Sequence, residues 1–148
     1  MLFRSPLDPV LARGGGRQRP PFFVRKHAEI AQRIKEGRWE IVGGMWVEPD
    51  LNMPDGESLV RQLLVGKRWF KQQYGVETRI GWNPDSFGYT WQLPQIYKKS
   101  GVDYFVTTKL SWNDTNPLPL SLFWWQSPDG SKVQIGRASC RERVYVLV

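Results

Sequence analysis

The chain has 148 residues, enough for one domain, with 41% hydrophobic and 24% charged residues, the balance of an ordinary folded protein. No run approaches the roughly 18 consecutive apolar residues of a membrane helix, and Met1 to Arg13 holds no apolar core of a secretory signal. The only cysteine, Cys140, cannot close a disulfide within the chain, and the sequence has no Cys/His zinc spacing, so cysteine usage does not place the compartment; a cytoplasmic setting is the working expectation. The net charge of +7 sits at the ends. Residues 1–26 carry +5 and residues 135–148 carry +2, which leaves the body neutral. A nucleic-acid binder carries its charge on a folded face, so neither nucleic acid nor a membrane is expected as a partner.

Both ends read as foreign to the body. Residues 1–26, rich in Arg, Gly and Pro and without apolar periodicity, are expected to be disordered or mistranslated. Residues 135–148 are expected to derive from a sequencing-library adapter, because such a string can encode the run Ile135 to Val144. The fold is therefore sought in residues 27–134.

His27 to Glu36 has Ile30 and Ile34 four apart and stops at Gly37, which predicts a short helix. Trp39 to Val42 is a compact apolar run, predicted as a buried strand, and Gly43-Gly44 opens a loop to Pro54. Asp55 is placed to cap a helix in which Leu59, Leu63, Phe70 and Tyr74 recur at helical spacing until Gly75. Val76, Thr78, Ile80 and Trp82 alternate with Glu77, Arg79 and Gly81, a strand pattern. A loop from Asn83 to Gly88, a helix from Thr90 to Ser100 and a strand from Val102 to Thr108 follow. Leu122 to Gln126 and Ser131 to Gln134 flank Ser127-Pro128-Asp129-Gly130, a hairpin turn. Strands alternating with helices imply an α/β fold built on a parallel sheet with right-handed crossovers.

In such sheets ligands bind beyond the carboxyl ends of the strands. Those loops hold Trp46, Glu48 and Asp50; then Asp85 and Phe87; then Lys109, Trp112, Asn113 and Asp114. Aromatic rings beside carboxylates suit a sugar, with rings against C–H faces and carboxylates accepting hydroxyl hydrogen bonds. Carboxylates also serve as nucleophile or acid/base in glycoside hydrolysis. Each residue has a plainer reading. Asp85 after Asn-Pro can be a turn or helix cap, Glu48 and Asp50 solvated loop residues, and Lys109 a surface charge. Trp46, Trp82 and Trp91 can be core, Asp114 an Asx turn, and His27 a surface residue. A non-catalytic carbohydrate-binding α/β module using its tryptophans is the alternative to an enzyme.

Four strings in order add a resemblance: Gly37 to Asp50 (GRWEIVGGMWVEPD), Gly56 to Gln62 (GESLVRQ), Trp82 to Gly88 (WNPDSFG) and Leu110 to Asn116 (LSWNDTN). Together they resemble the N-terminal catalytic domain of glycoside hydrolase family 38 α-mannosidases, of the bacterial and cytosolic or vacuolar branch, over about Ala28 to Val133. The resemblance implies part of a barrel-like (β/α) glycoside hydrolase domain, incomplete at this length. It implies a retaining, zinc-dependent hydrolase acting on terminal α-linked mannose in oligosaccharides. The family motif places the catalytic nucleophile, also a zinc ligand, on Asp85. Phe87 matches an aromatic lining the reactive subsite, Lys109 a basic position near it, and Asp50 a further substrate contact. The other zinc ligands of the family, an upstream His-x-Asp pair and a later His, have no counterpart in this sequence. The 148-residue chain alone is expected to be inactive and poorly soluble.

Overall fold

A computed structural model of the chain describes residues 22–116 and 118–137. They divide after Glu40 into two compact units, taken separately below. Most of the expected disordered head, and the expected adapter tail from Ala138 onward, lie outside the described residues.

The first unit contributes helix α1, Phe22–Lys35, which starts five residues upstream of where the Ile30–Ile34 spacing put it. Arg33 and Lys35 in its last turn suit the negative end of the helix dipole. Ion pairs Lys26–Glu29 (3.1 Å) and Arg33–Glu36 (2.9 Å) decorate it, and Gly37 at φ 67° ends it.

The run from Trp39 to Val42, expected as a buried strand, forms none: in the second unit Ile41 and Val42 belong to no strand. Gly43 and Gly44 take φ of 93° and 79°, and Gly43 N–H donates to the Ile80 carbonyl at 2.7 Å, which is a single bond and not a ladder. Two successive left-handed glycines turn the backbone out of strand register before pairing can propagate.

Helix α2, Gly56–Tyr74, is capped as expected. The Asp55 carboxylate accepts the Ser58 N–H at 2.7 Å, and Gly75 at φ 71° closes the C-terminus. Its buried face holds Leu59, Leu63 and Gly66. Gly66 is needed for contact, because a Cβ there would overlap the Gly44 carbonyl and the Met45–Trp46 backbone.

Strand β1, Ile80–Trp82, is shorter than the alternation from Val76 suggested. Helix α3, Leu93–Lys99, and strand β2, Tyr104–Thr107, complete a β-α-β unit. Strand β3, Leu122–Gln126, and strand β4, Lys132–Arg137, form the expected hairpin. The sheet order is β1-β2-β4-β3, parallel except for β3, which pairs antiparallel with β4. The boundary expected at Gln134 falls inside β4, where Ile135 is buried opposite Phe105. Among the described residues the sheet is open and four-stranded.

The core is Leu59 and Leu63 of α2, Leu93, Ile96 and Tyr97 of α3, Phe105 of β2, and Val133 and Ile135 of β4, with Met45, Leu51 and Val102. The face of the sheet bearing Tyr104, Trp124 and Leu122 is exposed. Among the described residues no helix is long and apolar enough to cross a membrane.

Candidate active site

The carboxyl ends of the parallel strands β1 and β2 point two loops to one place. The first loop is fixed from beneath. Asn83 is buried; its N–H donates to the Val106 carbonyl (3.1 Å) and its Oδ1 accepts the Tyr97 hydroxyl (2.7 Å). Tyr97 reaches it because Gly81 has no side chain: a Cβ there would press on the Tyr97 ring at 2.9 Å. Burial pushes the Tyr97 hydroxyl up, so it stays a neutral donor. The two loops are then tied together, since the Pro84 carbonyl accepts the Thr108 hydroxyl at 2.6 Å. A third loop joins them: the Ser86 hydroxyl donates to the Pro49 carbonyl (2.7 Å), and Thr90 N–H to the Leu51 carbonyl (2.8 Å).

Asp85, Phe87 and Lys109 meet on this frame. Lys109 Nζ lies 3.0 Å from Asp85 Oδ1. The same ammonium sits 3.6 Å from the Trp112 ring centroid and 4.7 Å from that of Phe87, and the two rings meet edge-on at 6.0 Å. The backbone N–H of Asp85 donates to Glu48 Oε1 at 2.6 Å, a charge-assisted bond that fixes the main chain at the carboxylate. The Lys109 side chain is only 10% exposed, whereas that of Asp85 is 75% exposed. The arrangement is an exposed carboxylate with one oxygen paired to a packed lysine and aromatic rings beside it. An oriented carboxylate of this kind serves as a nucleophile, and the rings suit the C–H face of a sugar.

Asp50 is brought into a different arrangement. Its Oδ1 accepts the N–H groups of Asn52 (2.7 Å) and Met53 (2.8 Å), which hold its carboxyl below the usual range, the Met53 bond most strongly. No hydrogen bond or ion pair links Asp50 to Asp85 or Lys109 among the described residues. In the Trp-Asn-Asp-Thr-Asn segment it is Asn113 that closes the Asx turn, accepting from Thr115 and Asn116 N–H, and not Asp114. Trp46, Trp82 and Trp91 are not core residues; all three are exposed. Glu48 and Trp112, which the loop reading had named but to which the resemblance gave no role, join the cluster. Trp112 follows β2, whereas among the described residues no strand precedes Glu48.

Among the described residues no three His, Cys, Asp or Glu side chains stand together as a metal site. A catalytic zinc takes three protein ligands; here the Asp85 carboxylate has a cation against its Oδ1 and Glu48 Oε1 accepts the Asp85 N–H. The described residues alone do not fit a zinc ion.

Against known proteins, residues 24–141 match the family described as the glycosyl hydrolases family 38 N-terminal domain. The chain is 45% identical over 114 residues to "Alpha-mannosidase" of Saccharomyces cerevisiae, covering 77% of this chain and 10% of that protein. It is 44% identical over 114 residues to "Alpha-mannosidase 2C1" of Homo sapiens, covering 74% of this chain and 11% of that protein. The chain thus spans about a tenth of the length of the curated relatives it matches. Among solved structures, an alpha-mannosidase from Enterococcus faecalis V583 is similar in fold, with a TM-score of 0.63 at 24% identity over 78% of this chain and 13% of that one.

Proposed function

The chain belongs to glycosyl hydrolase family 38, and on that premise we propose that it is part of a longer retaining α-mannosidase in which Asp85 is the nucleophile. The observation that carries the reading is the Asp85 carboxylate, open to solvent yet held by Lys109 at Oδ1 and by Glu48 at its backbone N–H. A terminal α-mannosyl residue of an oligosaccharide is the substrate. Its C–H face lies against Phe87, and Asp85 Oδ2 attacks the anomeric carbon as the glycosidic bond breaks. The leaving oxygen takes a proton from an acid in another part of the longer protein, and water then releases mannose with retained configuration. Lys109 neutralises the carboxylate in the resting state and is a hydrogen-bond donor to sugar hydroxyls. Asp50 is a substrate contact through Oδ2, since its Oδ1 is committed to its own loop.

Zinc dependence belongs to the same proposal. Asp85 is the one ligand this chain supplies, and the remaining ligands come from the rest of the longer protein. The open sheet is likewise taken as one arc of a barrel-like domain. Helix α1 holds residues 22–26 and β4 runs to Arg137, so the foreign origin expected for residues 1–26 and 135–148 is proposed only for the parts outside these elements, and a long read of the native gene across both ends tests this. A native read that continues through Ile135-Gly136-Arg137-Ala138 refutes the adapter origin.

The activity is tested on the full-length protein. Hydrolysis of an aryl α-mannoside is followed by proton NMR for product configuration, beside the Asp85→Asn variant. The reading expects α-mannose as first product and a loss of about 10³-fold or more in kcat for the variant. An Asp85→Asn protein with undiminished turnover refutes it. If the protein binds mannosides without cleaving them and the variant binds equally well, the sugar-binding module is the better reading.

A further inference from the structure

Building on that reading, we propose that Trp112 is a positioning residue which, with Phe87, clamps the Lys109 ammonium against the Asp85 carboxylate. A lysine is a flexible four-carbon stem carrying a point charge, and an exposed Lys–Asp pair is ordinarily held loosely. Here the lysine is packed although its partner is open: the Lys109 side chain is 10% exposed and that of Asp85 75%. The ammonium faces two rings, 3.6 Å from the Trp112 centroid and 4.7 Å from that of Phe87, with Asp85 Oδ1 at 3.0 Å. Aromatic faces are negative and attract a cation there.

The local backbone explains how the rings reach it. Lys109–Ser111 form a 3₁₀ turn, and Trp112 N–H donates to the Lys109 carbonyl at 3.0 Å. Side chains three apart eclipse on such a turn, which stacks residue 112 over residue 109. Phe87 arrives from the other loop, edge-on to Trp112 with rings 80° apart. The clamp thus joins the loops after β1 and β2 through one cation. Its consequence for the reaction is that the lysine sets the orientation of the Asp85 carboxylate.

The test uses the full-length protein. Trp112→Leu keeps an apolar side chain but removes the π face, and Trp112→Phe restores one. We expect Trp112→Leu to lower kcat on an aryl α-mannoside about tenfold with KM little changed, and Trp112→Phe to recover most of it. In a Lys109→Met background Trp112→Leu is expected to change kcat by less than about twofold. Equal losses in both backgrounds overturn the proposal, because sugar stacking or fold support by Trp112 needs no lysine. A second readout does not depend on activity: reductive methylation of lysines mapped by mass spectrometry. Lys109 is expected to react several times faster in Trp112→Leu than in the parent or in Trp112→Phe; equal rates overturn the clamp. An inactive parent whose Lys109 labelling still follows Trp112 overturns the mannosidase reading and leaves the clamp standing.

Discussion

Single residues set the floor of the site. Tyr97 and Asn83 form a buried hydrogen bond directly beneath the loop that carries Asp85. Tyr97→Phe leaves a buried amide oxygen without its donor, so unfolding is expected to become easier by ~1–3 kcal/mol, read from denaturant midpoints. Gly66→Ala forces a methyl into the Gly44 carbonyl, and a loss of ~1–3 kcal/mol is expected by the same measurement. At this scale the strings around Asp85, Phe87 and Lys109 were legible, and the structure gathers all three. Glu48 was harder to see, because a loop glutamate two residues before an aspartate carries no sign of which backbone N–H it will accept. The Lys109–Trp112 stacking was hidden because a 3₁₀ turn leaves no period in four residues. Trp46, Trp82 and Trp91 misled because an aromatic side chain alone carries no sequence sign of which face it takes; all three are exposed.

Elements were legible where their signals were redundant. Helix α2 has a capping aspartate, a helical apolar stripe and a C-terminal glycine, and all three agree with the structure. Asp55→Ala is expected to cost ~1 kcal/mol and to speed amide exchange in the first turn of α2. The apolar run before Gly43 had one signal only, and the paired glycines overrode it. The β3–β4 hairpin was legible from its turn, where Asp129 is held at about 2, first by the Ser127 hydroxyl and then by the Ser131 N–H and hydroxyl. Its folded value lies below the ordinary one near 3.9. The stabilisation from this carboxylate is therefore present above about pH 4 and is lost as the pH falls toward 2. Asp129→Asn should flatten that acid limb in a pH titration of hairpin amide exchange; an unchanged limb counts against the turn's role.

At the scale of the whole molecule, the second unit is a half-covered sheet. Among the described residues one face packs on helices α2 and α3, Tyr104, Leu122 and Trp124 are exposed on the other, and β1 and β3 are the edge strands. Exposed apolar faces and open edges drive association. The purified 148-residue chain is expected to sediment as aggregate and to leave an aryl α-mannoside uncleaved; a monodisperse, active fragment contradicts this. The parallel order and the strand-end site followed from the alternation of helices and strands. The barrel-like closure expected from the resemblance is not seen: the described residues form an open sheet of four strands.

The most direct test of the account is to trap the covalent intermediate on the full-length protein with a slow-turnover fluorinated α-mannosyl fluoride and to map the labelled peptide by mass spectrometry. The account predicts one mannosyl adduct, on Asp85 and absent from Asp85→Asn. An adduct on another carboxylate, or full turnover with inverted product and no adduct, would contradict it.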